Sequence, residues 1–166
     1  EDRNQRGLNR SMSIEENLIA TVFRKRPFSL GPMLVPAALR RFAERLIAAF
    51  DIRPPRPEAA VANLSGGNAQ KVVVAREIDA DADVLLAAQP TRGVDVGSIE
   101  NIRRELVKAC EKGTAILLVS ADLEEILSLS DRIAVMYEGK ITGLLEAGEA
   151  DEETLGLFMT GGAVRA

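Results

Sequence analysis

Histidine is absent from all 166 residues. That removes Ser-His-Asp and Cys-His catalysis, imidazole metal ligation and an imidazole general base from consideration. Tryptophan is absent too, and aromatic residues make up only 4 %, so a core has to be assembled from Leu, Ile, Val and Ala. The one cysteine, Cys110, has no partner for an internal disulfide, which suits a reducing compartment. No apolar run approaches the roughly 20 residues that a membrane-crossing helix requires, and the first residues lack the pattern of a secretory signal. The formal net charge of −4 gives no global pull towards nucleic acid. What remains is a composition suited to a soluble globular protein, 46 % hydrophobic and 28 % charged, forming one domain of usual size or part of a larger one. The opening on Glu1 rather than Met suggests an excised piece of a longer protein.

The chain is organised around Leu64-Ser65-Gly66-Gly67-Asn68-Ala69-Gln70-Lys71. Two adjacent glycines let a backbone approach a bulky anion, because no Cβ stands in the way. Ser65 adds a hydroxyl donor. Lys71 to Ile78 reads as a helix that starts at the glycines, so free N–H groups and the positive end of the helix dipole would meet whatever lies there. A phosphate is the natural ligand for such an end. The alternative is a plain turn with Ser65 as a helix N-cap.

In front of this stretch, Ser13 and Glu16 form a capping-box pattern that predicts a helix through about Phe23. Arg24-Lys25-Arg26-Pro27 breaks it, and Pro27 to Pro36 reads as a loop. The three cations read as a solvated face rather than a nucleic-acid patch. Leu39, Phe42, Ala43, Leu46, Ile47 and Phe50 recur at helical spacing, and Pro54-Pro55 and Pro57 prevent that helix from continuing past about Asp51. Behind it, Val84 to Ala88 and Ala115 to Val119 are short apolar runs of the kind buried on both faces of a sheet. Ser98 to Lys112 is a helix with Gly113 at its C-terminal end, and Asp122 opens another. Arg132 to Tyr137 and Lys140 to Leu145 pair as a hairpin about Glu138-Gly139. Asp151 to Met159 is a last short helix. Strands alternating with helices predict an α/β fold with a parallel sheet. The expected organisation is a helical unit and linker over 1–63, an α/β core part over 64–146, and a C-terminal helix and tail over 147–166.

The order of Leu64-Ser65-Gly66-Gly67-Asn68, Gln89-Pro90-Thr91-Arg92-Gly93-Val94-Asp95, Ser120-Ala121-Asp122-Leu123-Glu124-Glu125 and Ser130-Asp131-Arg132 resembles the nucleotide-binding domain of ABC transporters. The Pro-Thr-Arg-Gly-Val-Asp-Val-Gly run resembles the second of two such domains in the tandem ATPases of sugar and nucleoside importers. The resemblance implies a partial P-loop NTPase (ABC ATPase) fold that lacks its Walker A half. It also implies ATP and Mg²⁺ as cofactors of the complete protein, and attachment to the cytoplasmic face of the membrane. Ser65, Gly66, Gly67 and Asn68 would belong to the signature motif, which caps the γ-phosphate of ATP held by an opposing domain. Asp95 would lie on the loop that crosses to that domain, and Glu1 near the glutamine loop. The opposing domain would be the first ATPase domain of the same parent chain or a second copy. The helical unit, Arg10 to Phe50, would face the transmembrane permease, and a periplasmic or lipoprotein binding protein would be an indirect partner. No nucleic-acid partner is expected.

The departures from the family are as informative. Where its Walker B strand ends in Asp then Glu, this chain has Ala88 and Gln89. Alanine cannot help hold Mg²⁺, so no metal ligand is assigned here. Gln89 stands at the catalytic glutamate position and cannot accept a proton from water, though it can orient one. The switch histidine aligns with Ala121. No P-loop is present: Gly66 with Lys71 imitates G-x-x-x-x-G-K-[ST], but Gln70 occupies the second glycine position, and Gly139-Lys140 is followed by Ile141. The expectation is an asymmetric pair of sites, one degenerate at Ala88 and Gln89, the other closed by Ser65, Gly66 and Gly67. On this reading the piece alone is inactive. Ala87-Ala88-Gln89 leans towards nucleoside rather than sugar importers. Two other classes stay open: an ABC-type chromosome or DNA-repair ATPase, disfavoured by the lack of heptads in residues 1–63, and a non-catalytic interaction module.

Overall fold

The computed structural model describes residues 7–162. The chain divides into two units. One runs up to Leu85 and takes in Pro90–Ile116; the other comprises Leu86–Gln89 and the chain from Leu117 onward.

In the first unit, α1 (Ile14–Leu18) begins on the expected capping box: the Glu16 amide donates to Ser13 Oγ at 3.2 Å, and the Ser13 amide donates to Glu16 Oε2 at 2.7 Å. The helix is shorter than the predicted span to Phe23. Beyond Ile19 the chain continues in tight turns, with the Val22 amide donating to the Ile19 carbonyl and the Lys25 amide to the Val22 carbonyl. These turns bury Ile19 and Val22 against Leu39, with Phe28 and Phe42 packed alongside; packing overrides helix continuation here. The predicted loop of residues 27–36 carries a minimal hairpin, β1 (Ser29–Leu30) and β2 (Met33–Leu34), turning at Gly31, whose φ is +64°. Helix α2 (Pro36–Ala49) starts with Pro36 where a missing N–H costs nothing. It buries Leu39, Ala43, Leu46 and Ile47.

Helices α3 (Gly66–Ile78) and α4 (Val96–Glu111) follow. Helix α3 packs on α1, α2 and α4 and buries Ala69, Val72, Val74 and Ala75. Helix α4 turns Ile102, Leu106 and Ala109 inward, as their spacing predicts. After it, Gly113 takes a φ of +103°, the left-handed conformation expected of a residue that stops a helix.

Strands β3 (Val84–Ala88) and β4 (Ala115–Val119) are hydrogen-bonded neighbours. The Ala115 amide donates to the Asp83 carbonyl, and the Gln89 amide donates to the Val119 carbonyl; both strands therefore advance in the same direction, as the α/β alternation predicts. Their burial departs from that of strands covered on both faces, as a fold missing part of its sheet implies for Val84 to Ala88. Val84, Leu86, Leu117 and Val119 are 67, 65, 60 and 50 % exposed, so alternate side chains of both strands are uncovered rather than buried on both faces. The physical reason is that, among the described residues, these two strands pair only with each other and no layer covers that face.

In the second unit, α5 (Leu123–Leu129) precedes β5 (Arg132–Tyr137) and β6 (Lys140–Glu146), an antiparallel hairpin with a register irregularity between Val135 and Met136. Glu138 and Gly139 both have positive φ, +46° and +77°, which is the backbone of the two-residue turn that matches strand twist. Helix α6 (Glu152–Met159) lies against this hairpin. Leu155 packs with Ile133 and Val135, joined by Leu123, Ile126, Leu127 and Phe158. A Cβ at position 143 would come within 2.7 Å of the Phe158 ring, so Gly143 makes room for that aromatic side chain.

Candidate anion-binding corner at the start of helix α3

Ser65 is the N-cap of α3 and has extended backbone. Its hydroxyl oxygen accepts twice: from the Asn68 amide at 3.3 Å and from Asn68 Nδ2 at 3.0 Å. A hydroxyl oxygen has two lone pairs. With both engaged, the Ser65 proton is left free to be donated outward. The Asn68 side chain is fixed in turn, because its Oδ1 accepts the Arg53 amide at 2.7 Å. The amides of Gly66 and Gly67 have no acceptor among the described residues, as helix geometry requires of a first turn. A Cβ at Gly66 would meet nothing within 4 Å. Ser65 and Gly66 are exposed. The corner is therefore a set of donors without an acceptor, at the positive end of a 13-residue helix, open to solvent. It fits a phosphate oxygen and repels nothing anionic.

The loop that follows β3 holds α3 in place. The Gln70 Nε2 donates to the Pro90 carbonyl at 2.9 Å. A Cβ at Gly67 would lie 3.2 Å from the Gly93 carbonyl oxygen, so glycine is there for close approach of two backbones. Lys71 is buried and lies 3.6 Å from Asp95 Oδ2. Asp95 is largely exposed, but both its oxygens cap α4: Oδ1 accepts the Ser98 amide at 3.0 Å and Oδ2 accepts the Ser98 hydroxyl at 2.7 Å. Ser98, with the Lys71 ammonium adding, holds the Asp95 carboxyl below the usual range. The side chain of Asp95 is thus a helix cap rather than a free arm. Beside the corner, Arg10 and Leu64 help to line a small cavity of about 90 Å³ that Gly66 also borders. The Arg10 guanidinium donates to the Ala62 carbonyl at 3.4 Å.

The other predicted site residues sit at the end of β3. Gln89 is half-buried with φ of +51°, a conformation that a non-glycine residue adopts at a cost. Its amide is anchored to the Val119 carbonyl at 2.7 Å. Ala88 and Ala121 are exposed and offer no polar group. No group of three or more Asp, Glu, His or Cys suited to a metal ion occurs among the described residues. The donors at Ser65, Gly66 and Gly67 fit the phosphate end of ATP; the residues at Ala88 and Gln89 do not form a Mg²⁺ site.

Of the residues that the sequence singled out, Ser65, Gly66, Gly67 and Asn68 come together at the start of α3, and the Asn68 side chain is engaged by Ser65 and the Arg53 amide. Lys71 entered the sequence reading only as part of an imitated P-loop, without its contacts to Asp51 and Asp95. The available signal for Lys71 was a lone cation followed by Val72-Val73-Val74-Ala75 in a helix with little polar face.

No protein-family model matches the chain. Among curated proteins it is 46 % identical over 164 residues to a glucose import ATP-binding protein of Haloferax volcanii, covering 98 % of this chain and 30 % of that protein. It is 43 % identical to a guanosine import ATP-binding protein of Bacillus subtilis, and 40 % identical to a nucleoside import ATP-binding protein of Lactococcus lactis; each covers at least 97 % of this chain, and the chain covers 32 % of each. The chain thus spans about a third of the length of these relatives. A dimeric bacterial ABC transporter cassette shares the fold with a TM-score of 0.73 at 23 % identity, over 86 % of this chain and 60 % of that one. An ATP-binding subunit of an ABC transporter matches with a TM-score of 0.74 at 19 % identity, over 92 % of this chain and 64 % of that one. A partial ABC ATPase fold and relatives of 40–46 % identity covering nearly all its residues agree: the chain is homologous to the ATP-binding proteins of sugar and nucleoside importers, over about a third of their length.

Proposed function

We propose that this chain is the C-terminal part of the second ATPase domain of a tandem sugar or nucleoside importer ATP-binding protein, and that its Ser65–Gly67 corner closes over the terminal phosphate of ATP held by the other ATPase domain. The observation that carries this reading is the hydrogen-bonding state of Ser65: its oxygen is saturated by Asn68, so the hydroxyl can only donate. Three donors set before the phosphate arrives need no reorganisation when charge builds on it. Asn68 acts by presetting Ser65 rather than by touching the nucleotide. Asp95 acts by fixing the start of α4 at the loop facing the partner domain.

The chain's own ATP site, built around Ala88 and Gln89, would be the poor one. Its strand end has no carboxylate for Mg²⁺ and no base for water. Hydrolysis would fall to the other domain's residues, closed by this corner. Mg²⁺ with ATP belongs to the complete protein. The helical unit would face the permease. Its exposed hairpin tip supports that orientation, with Leu30 60 % and Met33 71 % exposed and opposite each other in register. No helix among the described residues is long and apolar enough to cross a membrane, so attachment would run through the permease, at the cytoplasmic face. The relatives' names include both glucose and nucleoside import, which supports a sugar or nucleoside cargo and gives no support to a chromosome or DNA-repair ATPase.

The test is Ser65→Ala in the full-length protein assembled with its permease. Losing one oriented donor at a site of developing charge costs about 10²-fold in turnover. ATP hydrolysis coupled to uptake at the parent rate would contradict the reading.

A further inference from the structure

Lys71 is more deeply buried than any other cation among the described residues, at 3 % exposure. Its ammonium donates to the Asp51 carbonyl at 2.9 Å. It lies 3.6 Å from Asp95 Oδ2 and 3.9 Å from Asp51 Oδ2. Three segments therefore converge on one nitrogen: helix α3 itself, the residues that follow α2, and the Asp95 loop. Asp51 holds a φ of +46°, the left-handed region where a non-glycine residue has to be held by its surroundings. The Asp51 carboxylate also accepts Arg53 Nε at 3.0 Å, and the Arg53 amide is the group that fixes Asn68. A continuous chain of contacts leads from Lys71 through Asp51, Arg53 and Asn68 to the Ser65 hydroxyl. A second contact leads from Lys71 to Asp95 and the cap of α4.

We propose that Lys71 is a positioning residue whose ammonium sets the Ser65–Gly67 corner against the Asp95 loop. The proposal deepens the functional reading above and rests on it for its effect on turnover. A buried ion pair adds little to stability, because desolvating the charges offsets their attraction; its better-attested use is to specify one arrangement over others. An ammonium suits the task here, since its tetrahedral donors can be shared among three oxygens, two of Asp51 and one of Asp95. One short bond and two longer ion pairs hold the segments together while leaving both carboxylates in contact with solvent. Methionine would fill nearly the same volume and keep the burial, but it would tie nothing.

The experiment compares Lys71→Met, Lys71→Arg and Asp95→Asn. Asparagine remains a good N-cap, so Asp95→Asn removes the ion pair while keeping α4 capped. In the full-length protein, with glycine labelled selectively, NMR should show Lys71→Met melting within a few degrees of the parent while the Gly66 and Gly67 resonances shift and the Asp95 carboxyl titrates at higher pH. Asp95→Asn should move the same glycine resonances, and Lys71→Arg should restore most of the shift. In the full-length protein with its permease, Lys71→Met should lower kcat at least tenfold with KM for ATP changed less than twofold, because the nucleotide is gripped by the other domain. Glycine resonances and kcat both unmoved in Lys71→Met, or a kcat loss matched by loss of folded protein, would overturn the proposal. Failure of the phosphate reading is separable: Ser65→Ala would then leave turnover intact while the Lys71→Met effect on the glycine amides persisted.

Discussion

The Ser65–Asn68 corner and the Ala88–Gln89 strand end are the two places where chemistry was expected, and they differ in almost every respect. At the first, the side chains are fixed and the donors are left over: Asn68 saturates Ser65, the Arg53 amide holds Asn68, and the glycine amides have no acceptor among the described residues. At the second, the side chains that would hold a metal or take a proton are replaced by a methyl group and an amide. The backbone there is nevertheless held in an uncommon conformation, with Gln89 at φ +51° and its amide anchored to Val119. The lesson is that the two halves of a nucleotide machine can be maintained separately. On the proposed reading, donating to a partner's phosphate needs only a helix start and a hydroxyl, whereas cutting one's own needs the carboxylates that positions 88 and 89 lack.

Restoring the missing groups is the widest test of that contrast. A general base is worth about 10²–10⁴-fold in rate, so on the proposed reading Ala88→Asp with Gln89→Glu and Ala121→His in the full-length protein would turn the poor site into a second working one. Steady-state ATP turnover of the assembly should then rise about twofold, the ratio of two active sites to one. Unchanged turnover with an intact fold would mean that the degeneracy at positions 88, 89 and 121 is not what limits that site.

A smaller effect separates the two glycines. Gly66 has open space where a Cβ would go, whereas a Cβ at Gly67 would meet the Gly93 carbonyl at 3.2 Å. Replacing glycine by alanine within a helix gains up to about 1 kcal/mol, and overpacking costs about 1–3 kcal/mol. Gly66→Ala should therefore be the more stable variant of the pair by about 1–3 kcal/mol, measured by denaturant unfolding of the chain. The reverse order would contradict the close approach of α3 to the loop carrying Gly93.

Much of this was legible in the residues. Capping at Ser13 and Ser65, the inward face of α4, the hairpin at Glu138-Gly139 and the stop at Gly113 all follow from local rules, because each is settled within about four positions of sequence. The exposed face of β3 was legible only through the resemblance, since a fold that lacks part of its sheet leaves one face of Val84 to Ala88 uncovered. A run such as Val84-Leu85-Leu86 reads as doubly buried whether or not a covering layer is present, since the run encodes its own hydrophobicity and not its neighbours. The shortening of α1 was hidden for a related reason: Ile19 and Val22 turn towards Leu39, some twenty residues away. At the candidate site, the helix start at Ser65, Gly66 and Gly67 was legible because small residues before a helix are a local pattern. The surroundings of Lys71 were not legible, because Asp51 and Asp95 are brought to it only by folding.

The central claim is that Ser65 and the two following amides touch the terminal phosphate of a nucleotide bound elsewhere. The most direct measurement uses the full-length protein with its permease, ATP and vanadate, an analogue of the phosphoryl group in flight, followed by ultraviolet irradiation and mapping of the cut by mass spectrometry. The account predicts backbone cleavage at Ser65, dependent on ATP and lost in Ser65→Ala. Vanadate trapped with cleavage confined to other segments, and Ser65 untouched, would contradict it.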